Sequence, residues 1–237
     1  MLDSSQKNFS VINTDLQLIK RGENKLVKKI IQLNVNLNCS LEIVKGWIDC
    51  YIQQLYNCGI SMPTIKDSFI ENKSFVYISD YAGENVMQLF PNIEDLLTHN
   101  DIFEAICNIL RLAQVNKLYI DPHPKNFVVL NGDVSYVDFS PPYQIKAYRD
   151  ARLKTEPDPN KRKIIRDNFN VFHPDNIFYH FIGDFFNITE NLELIKQIYE
   201  KVIKLKLVNS VVNIGIDRAR KIRETEDLKF THSIYLM

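Results

Sequence analysis

Residues 118–143 read LYIDPHPKNFVVLNGDVSYVDFSPPY. The stretch predicts a loop stiffened by Pro122 and Pro124, a short strand, a turn at Asn131-Gly132-Asp133, and a second strand over Val134 to Phe139. Three polar side chains stand at useful points: Asp121, Asn126 five residues later, and Asp138 after the hairpin. A hairpin returns Asp138 to the end where Asp121 and Asn126 begin. Phosphoryl transfer asks for little more than an acceptor hydroxyl in line, a carboxylate beside that hydroxyl, and metal ions on the phosphate oxygens. Asp121 suits the carboxylate, and Asn126 and Asp138 offer the oxygen ligands that magnesium takes. Taken singly, each has a plainer role: a turn cap, a loop residue, a strand end. Their joint spacing is what favours a site.

Working outward, Asp101 to Lys117 carries apolar residues at 102, 103, 106, 109, 110 and 113, which predicts a helix with a broad buried stripe leading into the hairpin. Val86 to Leu97 predicts a helix interrupted at Pro91. Upstream, Phe9 to Ile19 and Lys25 to Leu33 predict strands around the turn Arg21-Gly22-Glu23-Asn24. Leu41 to Tyr56 has helical spacing with Ser40 as N-cap. Ile65 to Ile70 and Ser74 to Ser79 predict paired strands. The sheet ends at Asp80-Tyr81-Ala82-Gly83, so the chain divides into a strand-rich part, 1–82, and a helical part, 83–237. The expected class is α+β.

Downstream, residues 144–168 are polar, hold Pro157 and Pro159, and are predominantly basic from Lys146 to Arg166. They read either as a solvated surface loop or as a source of positive charge for an anionic ligand. Helices are expected over Ile177 to Phe186, Leu192 to Leu207 and Val211 to Arg223. His173-Pro174-Asp175-Asn176 echoes His123-Pro124-Lys125-Asn126, too briefly to be a repeat. Asp175 and Asp184 are candidates to brace the catalytic loop from below.

Twenty-nine basic and 29 acidic residues cancel, so no global charge points to nucleic acid or membrane. Four cysteines without CxxC spacing argue against zinc and against a disulfide framework. No apolar run suffices to span a membrane, and no signal pattern opens the chain; a cytoplasmic location is the expectation.

The segment Tyr119-Ile120-Asp121-Pro122-His123-Pro124-Lys125-Asn126, followed by Val137-Asp138-Phe139-Ser140, resembles the catalytic loop of aminoglycoside and choline phosphotransferases within the protein-kinase-like superfamily. That pattern is His-Gly-Asp-x-His-Pro-x-Asn and then Ile-Asp-Phe/x-Gly. Tyr119 stands in place of its leading His and Ser140 in place of its Gly. The resemblance implies a two-lobed protein-kinase-like fold, ATP and magnesium as cofactors, Asp121 as catalytic base, and Asn126 and Asp138 as metal ligands. It implies a strand lysine for the phosphates, Lys28 with Lys29 as alternative, since neighbours on a strand face opposite ways. It also implies a helix acid to hold that lysine, Asp49 with Glu42 as alternative, and adenine contacts from the Asp80 carbonyl and Ala82 amide. A Gly-rich phosphate loop is missing before Leu26. Without an Ala-Pro-Glu segment the expected acceptor is a small hydroxyl-bearing molecule, with an anionic one as an option. An inert kinase-like binding protein, or a kinase acting on a protein, are the alternatives.

Overall fold

The computed structural model describes residues 12–33, 36–189 and 191–205. Two long strands, β1 (Ile12–Arg21) and β2 (Asn24–Leu33), form a hairpin whose turn places Gly22 at positive φ. Helix α1 (Leu41–Asn57) follows, its first turn capped by the Ser40 hydroxyl, which accepts from the Ile43 amide. Strands β3 (Ile65–Glu71) and β4 (Ser74–Asp80) complete an antiparallel sheet in the order β1-β2-β4-β3.

Cross-strand partners share a face of the sheet. The pairings Leu16 with Lys29, Leu18 with Val27, Lys29 with Tyr77 and Ile31 with Phe75 therefore put all seven side chains on one face. Ile31, Phe75 and Tyr77 are fully buried in one core with Val44, Ile48, Tyr51 and Leu55 of α1. At the other end of the same face, Leu16 and Leu18 are 64% and 59% exposed.

After β4 the elements change character. A short strand β5 (Glu84–Asn85) leads into α2 (Val86–Leu89), and α3 (Ile93–Thr98) begins after Pro91, where the sequence predicted a break. Helix α4 (Asn100–Val115) buries Ile102, Phe103, Ile106, Cys107, Ile109, Leu110 and Ala113, the expected stripe; each large apolar side chain so removed from water contributes roughly 1.5–3 kcal/mol. Strands β6 (Phe127–Leu130) and β7 (Asp133–Tyr136) join β5 in a second sheet, β5-β6-β7. Asn131 and Gly132 both take positive φ, the two-residue turn that Asn-Gly favours.

Residues 144–168 are not a loop. They form helix α5 (Lys146–Thr155) and most of α6 (Pro159–Val171). Pro159 does not break α6 but starts it: the Asp158 carboxylate accepts from the Asn160 amide at 2.8 Å, and its carbonyl from the Arg162 amide. Proline suits the first helical position, whose amide has no partner within the helix. Helices α7 (Ile177–Thr189) and α8 (Leu192–Lys204) end the described chain, and the helix expected over 211–223 lies outside the described residues. The core runs without interruption from Ile31 to Val202. Among the described residues no helix is long and apolar enough to cross a membrane, and all four cysteines are free.

Candidate active site

The loop between α4 and β6 is set by its own side chains. His123 Nδ1 accepts from the Lys125 amide and caps a single 3-10 turn, Pro124–Asn126, while the Asp121 carboxylate accepts from the His123 amide at 3.0 Å. The His173-Pro174-Asp175-Asn176 echo builds the same His-capped turn, so it reflects shared local chemistry rather than a repeat. Asn126 is buried, and its side-chain nitrogen donates to the Asp121 carbonyl at 3.2 Å, so the two are locked together across the turn. The Val137 amide donates to the Asn126 carbonyl, which brings Asp138 alongside. Asp121, Asn126 and Asp138 thus occupy one place.

Two buried tyrosines support this loop from behind. Tyr136 on β7 accepts from the Asp121 amide at 3.1 Å. Tyr51 on α1 donates to the Tyr119 carbonyl at 2.5 Å, tying the first sheet's helix to the loop. Tyr119 is wedged between the guanidinium of Arg149, 4.6 Å from its ring centre, and the ring of His173 at 5.1 Å. Its amide donates to the Gln144 side chain.

The two candidate lysines are separated by strand alternation. Lys29 enters the site: its Nζ lies 3.5 Å from Asp138 Oδ1, 3.2 Å from the Val137 carbonyl and 4.2 Å from the centre of the Phe139 ring. Lys28 points to the opposite face and pairs with exposed Glu71 at 3.4 Å, away from Asp121, Asn126 and Asp138. Desolvation lowers the Lys29 pKa, and Asp138 opposes that shift.

The expected lysine–acid pair is not formed. The Asp49 carboxylate instead binds Lys45 at 2.7 Å and the Tyr77 hydroxyl at 2.8 Å. Glu42, the alternative acid, lies in the first turn of α1 and is exposed. Tyr77 stands between Asp49 and the Lys29 group, its ring meeting Phe139 edge-on at 5.1 Å. Asp80 closes β4: its amide donates to the Thr64 carbonyl and its carboxylate pairs with Lys66 at 2.8 Å. Ala82 is half-buried in the connector, one residue before Gly83.

Asp121 is a perturbed acid. Burial pushes its pKa up, to about 6; Asp138 adds to the rise, and Lys125 and the His123 and Asn126 hydrogen bonds hold it back. Of the two candidate braces, Asp175 pairs with Lys117 at the surface. On α7, burial first and then Asp121 raises the Asp184 carboxyl well above the usual range.

The basic stretch is largely engaged within the molecule. Lys146 pairs with Asp150, Arg149 donates to the Tyr143 and Gln144 carbonyls, Arg152 pairs with Glu156 and Arg162 donates to the Pro157 carbonyl. Arg149 therefore braces the loop through Tyr119 rather than projecting into solvent.

The sequence reading missed Tyr51, Tyr136 and Tyr77 as site-supporting residues. Their hydroxyl partners are 68, 15 and 28 residues away in the chain, so no local pattern announces them. Among the described residues, no three His, Cys, Asp or Glu side chains cluster as a metal site. Asn126 and Asp138 are two oxygen-bearing residues, within the small number that magnesium takes from a protein. Comparison with protein-family models gave no match, and comparison with curated proteins gave none.

Proposed function

We propose that this chain is a compact ATP-dependent phosphotransferase of two-lobed protein-kinase-like architecture, with lobes 1–82 and 83–237, acting on the hydroxyl of a small molecule. The observation that carries the reading is the convergence of Lys29 from the sheet with Asp121, Asn126 and Asp138 from the loop and hairpin. Apolar Leu16, Leu18 and Val27 lie on the same sheet face as Lys29, which supports a flat apolar ring such as adenine beside the site. The Asp80–Gly83 connector would supply the backbone contacts to that ring, from the Asp80 carbonyl and Ala82 amide.

Each role follows from chemistry. Lys29 provides positive charge for the phosphates. Asp138 and Asn126 offer oxygens to magnesium; the Asn126 nitrogen is committed to Asp121, which leaves its carbonyl oxygen for a metal. Magnesium would neutralise charge on the phosphate oxygens. Asp121, raised to about 6, is ionised at neutral pH yet basic enough to take a proton from an acceptor hydroxyl.

One observation favours a catalytically inert nucleotide-binding relative: Asp49 is committed to Lys45 and Tyr77 rather than to Lys29. Magnesium-dependent ATP turnover separates the two, measured for wild type and Asp121→Ala with a small-molecule extract as acceptor pool. Turnover by wild type, with loss of at least two orders of magnitude in the variant, supports the enzyme. Equal and negligible turnover in both supports the inert relative.

A further inference from the structure

Five residues past Asp138 the chain builds a second chemical surface. The Tyr143 ring stacks on Phe172 at 4.6 Å and meets Tyr148 and Phe169 edge-on at 6.2 and 5.8 Å. Tyr148 in turn meets Trp47 of α1 at 6.3 Å. One turn beyond Tyr148 on α5, Arg152 is only 7% exposed, yet its Nε has no partner among the described residues. Its ion pair with Glu156 is long, at 3.7 Å. Arg162, across the α5–α6 elbow, also has a buried Nε without a partner, and so does the hydroxyl of buried Ser140. Of the elbow's two carboxylates, Glu156 reaches Arg152 only at 3.7 Å and Asp158 caps α6.

A buried charged donor without an acceptor is costly, and natural structures complete such a group with an ordered water, an ion or a ligand. The start of α5 adjoins the candidate active site: Arg149, three residues before Arg152, donates to the Tyr143 and Gln144 carbonyls and lies 4.6 Å from the ring of Tyr119, two residues before Asp121. Burial raises the Tyr143 phenol, Tyr148, Asp121 and Asp138 push it the same way, and Arg152 opposes them.

We propose that Arg152, with Tyr143, binds an anionic oxygen group of the acceptor, a carboxylate or phosphate, and so directs the acceptor's hydroxyl towards Asp121. The part concerning the acceptor rests on the phosphotransferase reading; the anion site itself does not. Arg152 is here a binding residue and Glu156 its internal competitor.

Trp47, the sole tryptophan, reports on this corner through Tyr148. The full chain is titrated with inorganic phosphate and, separately, with acetate, at constant ionic strength against chloride, reading Trp47 fluorescence and heat. Saturable binding of at least one probe is expected. Arg152→Gln should weaken it at least tenfold, Glu156→Gln should tighten it several-fold, and Lys28→Met, on the opposite sheet face, should leave it unchanged. The preferred probe tells phosphate-bearing from carboxylate-bearing acceptors. No saturable binding, or equal affinity in wild type and Arg152→Gln, overturns the proposal. So does Glu156→Gln lowering the melting temperature without tightening binding, because a purely structural arginine predicts that. Should Arg152→Gln fail to fold, Glu156→Gln still decides. Mg·ATP binding is measured in the same preparations. Phosphate binding without Mg·ATP binding sinks the phosphotransferase reading alone, and the reverse sinks the anion site alone.

Discussion

Lys28 and Lys29 are adjacent, identical in charge and opposite in environment, so replacing each with methionine gives a controlled comparison. Lys28 pairs with Glu71, whose side chain is about half exposed. Such surface pairs contribute about 0–1 kcal/mol, and Lys28→Met should leave both stability and nucleotide binding nearly unchanged. Lys29 is nearly buried, 3.5 Å from Asp138 and held over Phe139. Its burial is unfavourable to the charged form, which offsets much of what the ion pair contributes to folding. The net stability change for Lys29→Met should therefore be on the order of 1 kcal/mol, small for so buried a site. Function should respond differently. A charged donor aimed at developing charge in a water-poor site typically contributes about 3–4 kcal/mol, or 10²–10³-fold in rate. Urea unfolding and magnesium-dependent ATP turnover on both variants check this. A hundredfold loss confined to Lys29→Met is expected. Equal loss in both variants, or loss confined to Lys28→Met, refutes the assignment of the sheet face.

Other perturbations follow from the same geometry. Asp121 has a raised folded-state pKa, so the folded chain holds its proton more tightly than the unfolded chain between about pH 4 and 6. Its destabilising contribution is absent below about pH 4 and fully present above about pH 6. Asp121→Asn should thus stabilise the metal-free protein by on the order of 1–3 kcal/mol at pH 8 and change little at pH 4, as read by urea unfolding; a pH-independent difference would contradict this. The ATP turnover of wild type should fall tenfold per pH unit below about 6 if Asp121 must be ionised. Gly83 sits at φ +109, and an added Cβ would lie 1.8 Å from the Val129 carbonyl oxygen. Gly83→Ala should cost about 3 kcal/mol or more, and a cost near zero would show that the connector does not pack on β6 as described. Tyr51→Phe removes the donor to the Tyr119 carbonyl and should cost about 1–3 kcal/mol, with Tm falling accordingly.

Much of the element plan was legible because it is written in local patterns. The α4 stripe, the Ser40 cap, the Asn-Gly turn and the break at Pro91 all act over a few residues, and all are found. The loop triad was legible for the same reason: two short turns fix Asp121, Asn126 and Asp138 relative to one another. What failed depended on other parts of the chain. Leu26 to Ile31 is apolar on both faces of β2, so its alternation does not say which lysine faces inward; the pairing with β1 and β4 decides that. Asp49 was expected to meet a lysine on the strand, but Lys45 one turn earlier and Tyr77 opposite reach it first. Helices α5 and α6 were hidden by charge and by Pro159, because a proline that starts a helix and one that ends it look alike until the cap at Asp158 is seen.

The proposed function requires that Lys29 hold a nucleotide's phosphates and that Asn126 and Asp138 supply oxygens to magnesium. Calorimetric titration with a non-hydrolysable ATP analogue, with and without magnesium, on wild type and Asp138→Asn, tests it most directly. Wild type should bind the analogue at least tenfold more tightly with magnesium than without, and Asp138→Asn should lose that magnesium dependence. Absence of binding by wild type, or binding equally indifferent to magnesium in both proteins, would contradict it.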